Sequence, residues 1–188
     1  GVGCITFSPD SRFIVSCGFK YDKQLMVWDW ANKDLHEAGV HGDAATTHST
    51  SISPICTGRV ANKVHAIDYH ESGKYFVTCG EKHLKFWTLS ITPDSRGTYG
   101  LSGKPGSITE ALKDGVFMDV VCGTGPVSDM IYCTTANGVL CAFHESRLMD
   151  KWLQLESPTS YCLTLFSKGN APGLLVVGCA EGIIRAFD

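Results

Sequence analysis

The sequence Leu-Met-Val-Trp-Asp at residues 25–29 is a short apolar run that ends in tryptophan, and Leu-Lys-Phe-Trp-Thr at 84–88 ends in the same way. The segments that precede the two runs also match when the chain is shifted by 62 positions. In that alignment Val2, Ile5, Phe7, Phe13, Val15 and Cys17 fall on Val64, Ile67, Tyr69, Tyr75, Val77 and Cys79. Self-similarity of this kind is the signature of a repeat protein. The first half of the chain therefore contains two homologous units.

The second half of the chain has its own internal match, at a shift of 44 positions. Thr135, Gly138, Leu140 and Phe143 fall on Cys179, Gly182, Ile184 and Phe187. Each unit consists of short apolar runs separated by turn residues, which is typical of β-strands. The order is strand, turn, strand, second turn and aromatic-ended strand. The sequence therefore predicts an all-β fold with about four four-stranded antiparallel blades of a β-propeller, as an incomplete part of a larger propeller array.

The blade boundaries follow from the positions of the outer strands. We expect these strands at 55–60 in the first blade, 98–101 in the second and 151–155 in the third. The predicted blades are 1–60, 61–105, 106–156 and 157–188, the last of which lacks its outer strand.

Two polar segments interrupt the repeats. Residues 31–54 are rich in His, Ser, Thr and Ala, with little apolar surface to bury, and predict an inserted loop in the first blade. Residues 91–106 predict a second insertion. Each joins a third strand to a fourth, so both should project from the bottom face, opposite the turns between second and third strands. We call the face with those turns the top face.

The chain resembles the WD-repeat family, whose blades end in Trp-Asp, as at 28–29. It also resembles a narrower group, the family of mitogen-activated protein kinase-binding protein 1 and the microcephaly-associated WD-repeat protein of spindle poles. That likeness is carried by Tyr-Phe-Val-Thr-Cys-Gly at 75–80, His-Leu-Lys-Phe-Trp at 83–87, Val-Cys-Gly at 121–123, Gly-Val-Leu-Cys at 138–141 and Gly-Cys-Ala at 178–180. It extends over nearly the whole chain except the 31–54 insertion.

The resemblance implies a non-catalytic scaffold for protein–protein interaction in kinase signalling, or at the centrosome and spindle. It implies a cytoplasmic location with association to the cytoskeleton or centrosome. Signalling kinases or spindle components would be partners through the full-length protein, because the kinase-docking segments of the family lie outside the matched region. Regular blades of the family carry a hydrogen-bond network that ends on the tryptophan, and Asp22, Ser16 and Trp28 could supply part of it.

Composition excludes several classes of partner. The net charge is −3 and no two Lys or Arg residues are adjacent, so the chain lacks a basic stripe for nucleic acid. No apolar run reaches the roughly 18 residues that a membrane-spanning helix needs. The nine cysteines form no Cys-x-x-Cys pair, which favours a reduced protein without a zinc site.

Catalytic and metal-binding motifs are also absent from the sequence. There is no Gly-x-Ser-x-Gly, and Gly-Thr-Gly at 123–125 is followed by proline where a phosphate-binding loop would begin a helix. His36, His41 and His48 lie in the polar insertion, which cannot fix a tetrahedral metal. We therefore expect no enzyme activity, no cofactor and no metal.

Candidate partner-binding residues lie in two turns of the predicted top face, since propeller loops are presented on rigid sheets. They are Phe19, Lys20, Tyr21, Asp22, Lys23, Glu81, Lys82 and His83. An exposed Phe and Tyr could anchor a partner, although Tyr21 could equally cover a neighbouring blade. Predicted structural residues are Trp28, Asp29, Trp87, Phe143 and Phe187.

Two other functions remain open at this stage. The chain could be a small-molecule or peptide sensor that uses the propeller channel. It could also be a purely architectural part of a larger propeller, or could self-associate through open propeller ends, because repeat units bury their faces against neighbours.

Overall fold

The computed structural model of the protein describes residues 1–19, 21–31, 53–91, 98–166 and 173–188. In these ranges fifteen β-strands form four sheets, and every pair of neighbouring strands is antiparallel. The strands follow chain order within each sheet. Each sheet corresponds to one blade, which confirms the predicted all-β fold of four antiparallel blades.

The strand bounds are as follows. The first blade contains β1 (Val2–Phe7), β2 (Phe13–Gly18), β3 (Gln24–Asp29) and β4 (Cys56–Arg59). The second contains β5 (Val64–Tyr69), β6 (Phe76–Gly80), β7 (His83–Ile91) and β8 (Tyr99–Pro105). The third contains β9 (Phe117–Cys122), β10 (Met130–Thr135), β11 (Val139–His144) and β12 (Met149–Gln154). The fourth contains β13 (Ser160–Phe166), β14 (Leu174–Cys179) and β15 (Ile184–Phe187).

Short 3₁₀ turns occur within three of the connections. They are Glu110–Leu112, Gly125–Val127 and Ala180–Gly182. The described residues contain no helix that is long and apolar enough to cross a membrane.

The hydrophobic core is divided into three layers, one between each pair of successive blades. Strands in the middle of the array are covered on both faces, and β6 is buried along its whole length. This explains why its sequence is continuously apolar or small and does not alternate. Cys17, Cys79 and Cys179 occupy equivalent buried positions on the second strands, where they pack as small hydrophobic residues do.

Half-buried aspartates also join successive blades through backbone hydrogen bonds. Oδ2 of Asp68 accepts the N–H of Cys122 at 2.6 Å, and Oδ2 of Asp119 accepts the N–H of Leu163 at 2.8 Å. Burial raises the pKa of both carboxyl groups. Each carboxylate therefore reaches from the innermost strand of one blade to that of the next.

The outer strand of the second blade differs from the expectation. β8 is a seven-residue strand that ends at Pro105, so the predicted insertion at 91–106 is wrong for residues 99–105. A Cβ at Gly103 would lie 2.5 Å from Trp87, so only glycine lets this strand cross the indole. Its Gly- and Lys-containing sequence has low strand propensity, and packing on Trp87 overrides that preference.

The other outer strands lie close to their predicted positions. β4 occupies 56–59 and β12 occupies 149–154. Most of the predicted 31–54 insertion, at 32–52, lies outside the described residues, as does Lys20.

Candidate interaction surface

The turn between β2 and β3 presents the first group of candidate residues. Within it the N–H of Asp22 donates to the carbonyl of Phe19 at 2.8 Å, and Lys23 adopts a left-handed conformation with φ 47°. Two further backbone bonds hold the turn from outside. The N–H of Phe19 donates to Gly1 at 2.6 Å, and the N–H of Val60 donates to Lys23 at 3.1 Å. The turn is thus fixed at both ends.

The two aromatic side chains of this turn remain open to solvent. Phe19 is 56% exposed and Tyr21 is 88% exposed. The Phe19 ring lies above Gly3, and the ammonium group of Lys63 lies 5.7 Å from the ring centroid, in the range of a cation–π contact. The prediction that Phe19 and Tyr21 are presented together on a turn thus agrees with the geometry.

The turn at Glu81 and Lys82 adjoins the first through Lys63. The carbonyl of Lys63 accepts the N–H of Glu81 at 2.9 Å, while its side chain lies over Phe19. Lys82 has the same left-handed φ of 47° as Lys23, and its N–H donates to Gly115 at 2.9 Å. Its ammonium group forms a 2.8 Å ion pair with the exposed Asp114, a contact that adds little stability at a surface.

The two turns form one surface, which we call the top-face patch: Phe19, Tyr21, Asp22, Lys23, Lys63, Glu81 and Lys82.

Lys63 was not among the residues predicted from the sequence. It precedes β5 in the connection from the first blade to the second, and such connections end on the same face as the turns between second and third strands. This position in the sequence could have indicated that Lys63 lies on the top face. The contact of Lys63 with Phe19 could not be predicted in the same way, because it depends on how the two blades pack.

His83 does not belong to the surface, because its side chain is buried. Nε1 of Trp87 donates to Oγ1 of Thr78 at 2.8 Å, and Oγ1 of Thr78 contacts Nε2 of His83 at 2.7 Å. In the neutral tautomer with its proton on Nδ1, the imidazole accepts through Nε2 the Thr hydroxyl hydrogen, which the bond from the indole leaves available. Burial, with a smaller effect of Lys85, lowers the pKa of His83 to about 4. The placement of His83 on the binding surface was therefore wrong.

The predicted structural residues occupy different environments. Trp87, Phe143 and Asp29 are buried, while Trp28 and Phe187 are half-buried in the two end blades. Nε1 of Trp28 donates to Oγ of Ser16 at 2.9 Å, which confirms this part of the predicted network. The side chain of Asp22, the third predicted member, packs against Gly18.

Arg12, held by Asp29, ties the first blade to the second. Oδ2 of Asp29 accepts two hydrogen bonds from the Arg12 guanidinium, at 3.1 and 2.9 Å, and Arg12 also donates to the hydroxyl of Tyr99 on β8 at 2.9 Å. The aspartate of the Trp-Asp pair thus has a structural role, because it holds the side chain that contacts the outer strand of the next blade.

Comparison with known proteins places the repeats in a family. The model of the WD domain, G-beta repeat, matches residues 1–29 and 52–88. Mitogen-activated protein kinase-binding protein 1 of Mus musculus is 32% identical over 214 residues, a match that covers 100% of this chain and 14% of that protein. WD repeat-containing protein 62 of Sus scrofa is 34% identical over 214 residues, with the same coverage. The chain belongs to the WD-repeat family.

A solved β-propeller domain has the same fold as this chain. The chain is similar to the β-propeller domain of Cps50 (Swd1) from Myceliophteria thermophila, with a TM-score of 0.66 and 14% identity, over 100% of this chain and 52% of that one. This likeness confirms the predicted β-propeller. The chain spans about 14% of the length of the two curated relatives above, in agreement with part of a larger propeller array.

A groove of about 750 Å³ separates the third WD-repeat blade from the fourth. Its walls are apolar, with Tyr132 and Trp152 on one side and Leu165 and Phe187 on the other. The groove lies between blades, away from the top-face patch. Among the described residues no group of three or more His, Cys, Asp or Glu side chains is placed to hold a metal ion.

Proposed function

We propose that this WD-repeat segment is a non-catalytic interaction scaffold that binds a protein partner through the top-face patch. The observation that carries the proposal is the pair of exposed aromatic rings on a turn held by backbone bonds at both ends. Aromatic residues supply much of the binding energy of protein interfaces. A turn that is already ordered loses little conformational entropy when it binds.

The chemistry of the patch supports a protein partner. Phe19 and Tyr21 provide apolar area, and the patch carries charges of both signs, from Lys23 and Lys63 and from Asp22 and Glu81. Because the Lys63 ammonium group lies over the Phe19 ring, this part of the patch suits a partner that offers an apolar side chain next to a carboxylate. The ring edge of Phe19 and the Lys63 ammonium group would meet these two features together.

We further propose that the longer protein serves in kinase signalling or at the spindle and centrosome, as a cytoplasmic component associated with the cytoskeleton. The support for kinase signalling is the name of one relative, a kinase-binding protein. The support for the spindle and centrosome is the resemblance of the sequence to the WD-repeat protein of spindle poles. Kinases or spindle components would then be partners of the assembly, with this segment contributing one binding surface.

The test compares partner capture by the chain and by Phe19→Ala/Tyr21→Ala. The matched control is Tyr161→Ala, because Tyr161 is 53% exposed on the fourth blade, outside the patch. Immobilised chains are incubated with cytosolic extract, and retained proteins are quantified by mass spectrometry. The proposal expects a set of proteins that binds the wild-type chain and the control but not the double variant. Equal retention by all three chains would remove the top-face assignment.

A second candidate function, architectural, is favoured by the exposed apolar faces of the two end blades. Ile5 and Phe7 are 57% and 54% exposed on the first blade, and Phe166 and Ile184 are 61% and 73% exposed on the fourth. Faces of this kind pack against further blades or against a second copy of the chain. Light scattering over a range of concentrations tests self-association. A mass that stays at one chain throughout would argue against it.

A further inference from the structure

The repeated cysteine of the second strands faces a different residue in each blade. Cys79 is paired with Ala66, and Cys179 with Ser160. In the first blade the residue opposite Cys17 is Cys4, and both are free thiols. The second strand has a cysteine at this position in three blades. Only in the first of these blades is the facing residue also a cysteine.

The geometry of this pair is compatible with a disulfide. Residues directly opposite in antiparallel strands have Cα atoms about 4.5 to 5.5 Å apart, and disulfides span Cα separations of about 4.4 to 6.8 Å. β1 has a register shift between Val2 and Cys4, and the regular ladder resumes at the pair Cys4 and Cys17. The side chains of this pair are close enough for each thiol to change the pKa of the other.

The two thiols differ in charge and access. The hydrogen bond from Cys4 lowers the pKa of Cys17, which favours its thiolate. Cys17 is buried, whereas Cys4 is half-buried, so a small oxidant reaches the pair past Cys4. A second facing pair, Cys133 and Cys141, connects β10 and β11, and both of its members are fully buried.

We propose that Cys4 and Cys17 are a reversible oxidation site, at which a peroxide converts the facing thiols to a cross-strand disulfide. The Cys17 thiolate attacks one peroxide oxygen, the O–O bond breaks, and Cys17 becomes a sulfenic acid as the leaving hydroxide takes a proton to form water. The Cys4 sulfur then attacks the Cys17 sulfur. The S–S bond forms, the S–O bond breaks, and the hydroxyl leaves as a second water with the Cys4 proton. Two electrons pass from the thiols to the peroxide, and a dithiol reductant reverses the reaction.

Oxidation would act directly beneath the top-face patch. Cys17 is two residues from Phe19, whose N–H donates to the carbonyl of Gly1, the residue that precedes β1. The disulfide would link β1 covalently to β2 where these two strands support the exposed turn.

The experiment treats the folded chain with hydrogen peroxide, blocks free thiols with an alkylating reagent and maps the tryptic peptides without reduction. Cleavage after Arg12 and Lys20 separates the two cysteines. We expect a linked pair of peptides, 1–12 joined to 13–20, which separates on reduction. Cys133 and Cys141 provide the internal control and should remain reduced over the same time.

Two variants keep the result interpretable, with circular dichroism to confirm that each is folded. In Cys4→Ser, dimedone should label Cys17 as a sulfenic acid, because the resolving thiol is missing. In Cys17→Ser, Cys4 should be oxidised at least about tenfold more slowly than Cys17 in Cys4→Ser, since it lacks thiolate stabilisation. The proposal is overturned by a wild-type chain in which the 1–12 and 13–20 peptides remain unlinked, or in which Cys133 and Cys141 oxidise first.

Discussion

Acidification should destabilise the fold through His83. In the folded chain the pKa of His83 is lowered from 6.5 to about 4, mainly by burial. The unfolded chain therefore binds the proton first as the pH falls. The stabilisation is complete above pH 6.5 and is lost progressively between pH 6.5 and about 4. At about 1.4 kcal/mol for each pH unit in this interval, the loss approaches about 3 kcal/mol.

The assay measures the free energy of unfolding by urea titration at a series of pH values from 7.5 to 4, with tryptophan fluorescence as the signal. His83→Gln is the reference, because its amide can still accept the Thr78 hydroxyl hydrogen but does not titrate. Subtracting the two curves removes the effects of carboxylates and other histidines. The expected difference shrinks by about 3 kcal/mol as the pH falls from 7 to 4.

The prediction fails if the wild-type chain and His83→Gln show a parallel pH dependence. It would mean that His83 titrates equally in the folded and unfolded chains, and hence that it is not a buried neutral acceptor. The imidazole proton resonances provide an independent check, since they should not shift until the pH falls well below 6.5.

Three other substitutions, two of them paired with a comparison variant, test the internal contacts by urea unfolding at neutral pH. Thr78→Val should lower the free energy of unfolding by about 2 to 4 kcal/mol, because it leaves both the buried Trp87 indole N–H and the His83 imidazole without a partner. Ser16→Ala, which removes the equivalent bond in the more exposed first blade, should lower it by only about 1 kcal/mol. Equal costs would contradict the difference in burial. Asp68→Ala should lower stability by about 1 to 3 kcal/mol through the lost bond to the next blade, and an unchanged midpoint would show that this bond is dispensable. Gly103→Ala should lower the stability by about 1 to 3 kcal/mol, because its Cβ would lie 2.5 Å from the ring of Trp87. The control is Ser102→Ala at the exposed neighbouring position, which should be nearly neutral. A neutral Gly103→Ala would show that β8 can move off the indole.

The repeat pattern was sufficient to predict the blades because periodic apolar positions report burial directly. Matching Val15 and Cys17 with Val77 and Cys79 identified residues that are all buried in the fold. The exposed aromatic turn was predictable for a related reason, since a turn between two apolar strands lies at the edge of a sheet.

The remaining features depend on contacts between segments that are distant in the sequence. β8 was predicted only in part because its glycines are favourable only where Trp87 lies beneath them. The burial of His83 depends on its bond to Thr78 across the hairpin. The role of Lys63 depends on the packing of the second blade against the first.

Hydrogen exchange of the chain, alone and with a partner captured by the wild-type chain, shows directly which surface the partner covers. Binding should protect the backbone around the top-face patch, at residues 18–23, 60–63 and 80–82. Exchange along the groove between the third and fourth blades should be unchanged. Protection confined to that groove or to the open faces of the end blades, with none at the patch, would mean that the top-face patch is not the binding surface.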